Sequence, residues 1–137
     1  MNANFSVAQW YLGQAYVNKG AFPEAIAQFQ NCVRITGGLP SMVALLAHAY
    51  AAANQVPEAR KLLQQLIARS KQEYVAPYPV ATIYLALNQK EEAFAWLERA
   101  YNERDSWMDY LGLDPRLDSL RSDPRFVALL DRMKLSQ

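Results

Sequence analysis

The residues that could do chemistry are few, and their spacing does not form a catalytic pattern. The chain of 137 residues has one cysteine, Cys32, and one histidine, His48. Nucleophilic catalysis needs a Ser or Cys beside a His and an acid, and a zinc site needs several N or S ligands. Cys32 lies at an apolar position of a helical pattern, where a cysteine behaves as a small buried side chain. We therefore predict that the chain is not an enzyme and has no metal or cofactor.

Other candidate motifs have simpler explanations. Gly37-Gly38 is not followed by the Gly-Lys-Ser of a phosphate loop. Glu91 and Glu92 are adjacent at a predicted helix start, where the positive helix end stabilises acids. A net charge of +1, with scattered Lys and Arg, provides no basic surface for nucleic acid or an anionic membrane. The chain has no apolar run of about 18 residues and no recognisable signal peptide, which predicts a cytoplasmic protein without a membrane span.

One interval of 34 residues organises the chain. Three sets of residues, called columns here, recur at this interval: Tyr16, Tyr50 and Tyr84; Ala25, Ala59 and Ala93; Gly20, Asn54 and Asn88. For the tyrosines the differences are 50 − 16 and 84 − 50. Glycine and asparagine tolerate a left-handed backbone, so the third column predicts a helix end in each unit. The alanines allow two helices to approach closely, and the tyrosines fill the space between successive units.

Apolar side chains at helical spacing predict six helices in three pairs. Their ranges are about 5–19, 22–35, 39–53, 56–70, 74–87 and 91–103. Pro77 and Pro79 are tolerable only in a first turn, so the regular part of the fifth helix should begin near Tyr78. A helical pair cannot bury its apolar face alone, but stacked pairs can.

The tail departs from the repeat. A short helix is predicted over 106–111. Asp114-Pro115-Arg116 and Asp123-Pro124-Arg125 then recur nine residues apart, and each is an N-cap aspartate followed by a proline at the first helical position. We expect this segment to cover the apolar end of the stack.

The pattern resembles the tetratricopeptide repeat over about residues 6–104. The first unit carries it best, with Leu12, Gly13, Tyr16, Ala25 and Phe29. The usual tryptophan comes one residue late, as Trp10, and the closing proline is missing. The resemblance implies an all-α, right-handed solenoid in one domain, 1–137, with repeats at 6–39, 40–73 and 74–105 and a cap at 106–137. The chain also resembles the C-terminal tetratricopeptide segments of bacterial multidomain signalling proteins.

The family resemblance further implies a concave row, to which we assign peptide binding. Its members here are Trp10, Gln14, Val17, Asn18, Ala44, His48, Ala51, Tyr78, Thr82 and Leu85. Flanking places in the same row are Val7, Ser41, Ala52, Val75 and Ala86. The row has no charge and lacks the Lys, Arg and Asn set with which some family members hold a chaperone's C-terminal carboxylate. We therefore predict a scaffold or adaptor for an apolar or amphipathic peptide, anchored by Trp10 and Tyr78.

Alternatives remain open from the sequence. Trp10 and Tyr78 could pack between helices instead of facing a partner. Phe5 or the tail could form a homodimer, because no repeat precedes the first helix. A small ligand beside His48 would make the chain a sensory domain of a larger signalling protein.

Overall fold

The computed structural model describes the backbone of residues 3–135 and the side chains of residues 8–134. Within that range every regular element is helical. The elements are α1 (Ala3–Asn18), α2 (Phe22–Thr36), α3 (Pro40–Ala52), α4 (Val56–Arg69), α5 (Pro77–Ala86), α6 (Lys90–Asn102), the 3-10 helices η1 (Ser106–Tyr110) and η2 (Pro115–Leu120), and α7 (Pro124–Leu135). The predicted all-α class is confirmed. Pro77 is the first residue of α5, as its missing N–H requires.

The same helix-ending turn is built three times at the 34-residue interval. Gly20, Asn54 and Asn88 have φ angles of 74°, 64° and 63°, as the Gly/Asn column predicted. In each turn the residue after this position donates its N–H to the carbonyl of the column tyrosine, at 2.8, 2.8 and 2.9 Å. This is the Schellman arrangement, which satisfies carbonyls that the helix end leaves open.

The chain forms two compact units, Met1–Val75 and Ala76–Gln137. The boundary lies close to the predicted junction between the second and third repeats. The single domain predicted from the sequence remains a prediction, and each unit is described by itself.

The first unit contains two helical pairs, and α2 packs against both α1 and α3. Its core joins one face of α2 to one face of α3; among its buried members are Ile26, Phe29, Cys32, Leu45 and Leu46. At Gly13 the helices α1 and α2 approach closely: a Cβ placed there would lie 2.1 Å from the Phe29 ring. Cys32 is buried, as predicted.

The second unit contains α5, α6 and the predicted cap. The buried core draws on all of these elements and includes Tyr78, Leu97, Leu117 and Phe126. Ion pairs join α6 to the start of α7 at the surface: Lys90 to Asp123 at 2.9 Å, and Arg125 to Glu91 at 2.7 Å. Asp114 and Asp123 are helix caps as predicted, accepting from the backbone N–H groups of Arg116 and Arg125, each at 2.9 Å.

Candidate functional site

A buried polar cluster in the second unit involves Tyr78, the aromatic residue that the sequence assigned to a peptide groove. Tyr78 is 0% exposed. Its backbone N–H donates to Asp105 Oδ2 at 3.0 Å, and its hydroxyl donates to Asp114 Oδ2 at 2.8 Å. Its ring stacks on that of Trp107, with centroids 6.4 Å apart. Through these contacts Tyr78 connects α5 to the cap.

Asp105 caps two helices with one carboxylate. Oδ2 accepts from the Tyr78 N–H in the first turn of α5, and Oδ1 accepts from the Trp107 N–H in the first turn of η1 at 3.0 Å. Both donors would otherwise lack partners, as first-turn N–H groups do. Asp105 is not among the residues predicted from the sequence. A signal existed, because Asp105, Asp114 and Asp123 are nine residues apart (114 − 105 and 123 − 114).

Asp114 forms a buried ion pair with Arg116 in this cluster. Its Oδ2 lies 2.7 Å from Arg116 Nη2, and the two side chains are 1% and 2% exposed. Burial by itself would raise the pKa of Asp114, but the hydrogen bonds and charge of Arg116, helped by the Tyr78 hydroxyl, outweigh burial and lower the pKa. Burial and the neighbouring carboxylate of Asp114 raise the pKa of Tyr78 well above its usual range. The hydroxyl therefore stays protonated and keeps donating.

The Asp114 ion pair predicts an acid-sensitive fold. Because the folded pKa is lower than the unfolded pKa of about 3.9, the carboxylate stabilises the fold above that pH and this contribution is lost as the pH falls. Urea unfolding at pH 6 and pH 3 should show a larger loss in the wild type than in Asp114→Asn. Asparagine can still cap η2, so the variant isolates the charge. Equal losses in both proteins would contradict the assignment.

Most residues of the predicted peptide-binding row are buried in the structure. Six of its ten members are at most 7% exposed: Gln14, Ala44, His48, Ala51, Tyr78 and Thr82. Trp10, Val17 and Leu85 are half-buried, and Asn18 is exposed. The assignment of Tyr78 as a peptide anchor is therefore corrected, since a core side chain cannot reach a partner. Thr82, with its hydroxyl donating to the Pro79 carbonyl at 2.6 Å, is corrected for the same reason.

Ala44, His48 and Ala51, the members of the row on α3, are buried for a common reason, and their assignment to a peptide-binding surface is corrected as well. Every residue from Met42 to Ala49 is buried, so this helix has no open side over that stretch for Ala44 or His48 to occupy, and Ala51 is 7% exposed. A helix without charge on any side is expected to be enclosed, and α3 has no charged residue. The absence of charge is visible in the sequence and indicates an enclosed helix, whereas helical phase alone places Ala44 and His48 on an accessible side.

The accessible part of the row lies on α1. Trp10 and Val17 are half-buried members of the margin of the first unit's core. Between them, Gln14 is 5% exposed and its Nε2 donates to Asn18 Oδ1 at 3.4 Å. The Gln14 Oε1 atom is buried and accepts no hydrogen bond from any residue that the structure describes. A buried acceptor without a donor costs about 1–3 kcal/mol, which a bound polar group could recover.

A cleft of about 670 Å³ lies in the second unit, lined in part by Tyr101, Asp105, Met108, Asp109 and Met133. His48 is not among the residues that line this cleft; it lies in the first unit and is 6% exposed. The small ligand predicted beside His48 therefore stays a prediction. Among the described residues, His, Cys, Asp and Glu do not gather in groups of three that could hold a metal ion. Between residues 3 and 135, no helix has both the length and the apolarity needed to cross a bilayer.

An all-α chain built on a 34-residue helix-turn-helix unit is an α-helical repeat protein. Residues 16–77 and residues 80–104 each match a family described as tetratricopeptide repeat. The chain belongs to the tetratricopeptide repeat family, as the sequence resemblance indicated. Such repeats are a protein-interaction fold, so the chain is an interaction module.

Most of the chain is also similar to part of one curated protein. The chain is 28% identical over 112 residues to the formate-dependent nitrite reductase complex bifunctional subunit NrfFG of Haemophilus influenzae. The aligned part covers 80% of this chain and 29% of the relative, so the chain spans under a third of that protein's length. No solved structure gives a significant match to the chain.

Proposed function

We propose that this chain is a non-catalytic scaffold that holds an apolar or amphipathic peptide of a partner protein along the accessible row of α1. The observation that carries the proposal is the partly accessible, uncharged surface that Trp10 and Val17 present on α1, beside Gln14, whose buried Oε1 no described donor satisfies. Because Oε1 is buried in the free chain, the Gln14 side chain would have to turn outward to accept from a peptide backbone N–H, and that bond would remove the cost of the open acceptor.

The neighbours of Gln14 suit such a guest. Trp10 provides a large ring and Val17 an aliphatic surface, both partly accessible. From Ala3 to Asn18 the helix has no charged residue, so contact with apolar side chains requires no desolvation of charge. NrfFG is named as a subunit of an enzyme complex, and by analogy this chain would also work within a multiprotein assembly.

Charge placed on the row should weaken the capture of peptides. Peptides of about 12 residues, selected from a displayed library on the immobilised chain, would be titrated against Val17→Arg/Asn18→Arg. We expect affinity to fall at least about tenfold, because arginines at these places would be desolvated by an apolar guest. Gln64→Arg/Gln65→Arg, an exposed pair on α4, is the matched control and should bind normally.

The Gln14 side chain provides a second test of the row. Gln14→Leu removes the open acceptor, so the free chain should become about 1 kcal/mol more stable while the selected peptides bind more weakly. Selected peptides that bind wild type, Val17→Arg/Asn18→Arg and Gln14→Leu alike would show that the row is not the binding surface.

A further inference from the structure

The cleft in the second unit is lined by an arginine with an unfavourable backbone conformation. Arg104 lies two residues after the end of α6, at a φ of 57°. The other residues with a left-handed backbone in the described part of the chain are all glycine or asparagine: Gly20, Gly37, Gly38, Asn54 and Asn88. A side chain with a Cβ is disfavoured in that conformation, so glycine would make this turn more stable. An arginine kept at such a place indicates a role for its side chain.

The side chain of Arg104 also differs from the other arginines of the second unit. Each of the others forms an ion pair with a carboxylate: Arg99, Arg116, Arg121, Arg125 and Arg132. Arg104 is exposed, and no acid within the described residues lies at ion-pair distance from it. Its guanidinium is therefore available to a carboxylate from outside, which it could hold through two parallel hydrogen bonds.

The lining of the cleft also contains one accessible carboxylate. Asp109, in η1, is exposed, and its side chain makes no hydrogen bond or ion pair with any residue that the structure describes. Asp105, the other acid of the lining, is 6% exposed, and its two oxygens accept from the backbone N–H groups of Tyr78 and Trp107. The accessible charges of the cleft are therefore one cation, Arg104, and one anion, Asp109.

Apolar side chains form the rest of the surface that a ligand would contact. Met108 is buried, and Tyr101 and Met133 are half-buried. Methionines adapt to apolar groups of different shapes because the side chain is flexible and polarisable. A simple anion such as phosphate would be repelled by Asp109, and a simple cation would be repelled by Arg104. The cleft therefore suits a molecule that carries both charges and an apolar group.

We propose that this cleft binds a free α-amino acid with a large apolar side chain. Arg104 would hold the carboxylate, Asp109 would hold the ammonium group, and the apolar side chain would lie along Met108 and Met133. The cleft volume of about 670 Å³ lies within the range of small-molecule sites, about 300–1,000 Å³. The site lies in the second unit and does not depend on the peptide-binding row of α1.

The probes for this proposal are L-leucine, L-methionine and L-phenylalanine, titrated into the full chain by calorimetry. At least one should bind saturably. The one that binds most tightly is then compared with its analogues that lack one charge; for L-phenylalanine these are hydrocinnamate, without the ammonium group, and phenethylamine, without the carboxylate. Each analogue should bind at least about tenfold more weakly, because it leaves one charged side chain of the cleft without its partner.

Substitutions at Arg104 separate binding from folding. Arg104→Gly should raise the melting temperature by about 2–5 °C, because glycine relieves the left-handed backbone, and should weaken the amino acid at least about tenfold. Arg104→Asn should weaken it equally while keeping the turn, since asparagine has the same conformation at Asn54 and Asn88.

Asp109→Asn tests the other charge and should also weaken binding at least about tenfold. Lys71→Asn, at an exposed cation in a turn of the first unit, is the matched control for Arg104→Asn. Glu58→Gln, at an exposed acid of the first unit, is the control for Asp109→Asn. Both control variants should bind the amino acid as the wild type does.

Three results would overturn the proposal. One is that none of the three amino acids binds saturably. Another is that the N-acetylated amino acid or inorganic phosphate binds as tightly as the free amino acid, because a chain end or a simple anion would then be the occupant. The third is equal binding by the wild type, Arg104→Asn and Asp109→Asn. None of these results affects the row of the proposed function, which is tested with library peptides and with Val17 and Asn18.

Discussion

Replacing Tyr78 by alanine is expected to destabilise the second unit by about 3–5 kcal/mol, the usual cost of emptying a buried aromatic site. The loss combines the cavity with two consequences for the cap: Asp114 loses the donor at 2.8 Å, and Trp107 loses its stacking partner. Urea unfolding followed by tryptophan fluorescence would report it, because Trp107 lies against the substituted ring.

Tyr78→Phe separates packing from hydrogen bonding. It keeps the ring and removes only the hydroxyl that donates to Asp114, so we expect a smaller loss of about 1.5–3 kcal/mol, typical of a bond to a charged group. Tyr74→Ala removes a tyrosine that is 67% exposed and should cost far less than Tyr78→Ala. If Tyr78→Ala left stability unchanged but abolished peptide capture, Tyr78 would be a groove residue and the core assignment would fail.

Gly13→Ala is expected to destabilise the first unit although alanine favours helices. The added Cβ would lie 2.1 to 2.7 Å from three atoms of the Phe29 ring, and because that ring is 1% exposed it could move away only by displacing its neighbours in the core. Overpacking typically costs about 1–3 kcal/mol, whereas the gain in helix propensity is at most about 1 kcal/mol. Urea unfolding at neutral pH should therefore show a net loss.

The repeat itself suggests how to rescue Gly13→Ala. The two places hold glycine and phenylalanine in the first repeat (Gly13, Phe29), but alanine and leucine 34 residues later (Ala47, Leu63). Phe29→Leu alone should be destabilising, because it leaves a cavity. Gly13→Ala/Phe29→Leu should be more stable than the sum of the single effects, with a favourable coupling of about 1–2 kcal/mol.

A second glycine provides the control for this experiment. A Cβ at Gly112 would meet only Leu130 Cδ2, at an ordinary 3.5 Å. Gly112→Ala should therefore change stability by less than about 0.5 kcal/mol. Strict additivity of Gly13→Ala and Phe29→Leu would mean that the close approach of α1 and α2 does not limit the size of residue 13.

Features that depend on a few neighbouring residues could be predicted from the sequence. The left-handed residues Gly20, Asn54 and Asn88 end their helices as expected, because the backbone at that place excludes most side chains. Asp114 and Asp123 cap the helices that follow them, since a short acceptor reaches the first-turn N–H groups within its own turn. The 34-residue interval likewise predicted the helical pairs and the repeat family from the sequence.

What only the tertiary structure decided is which side chains remain accessible. Helical phase places Tyr78 in a concave row, but residues 27 and 36 positions later, Asp105 and Asp114, close over it. Tyr11 and Leu12 occupy the same repeat positions as the buried Leu45 and Leu46, yet they are 58% and 44% exposed. Exposure depends on which distant segments pack together, and the packing of distant segments is not encoded in the local spacing of residues along one helix.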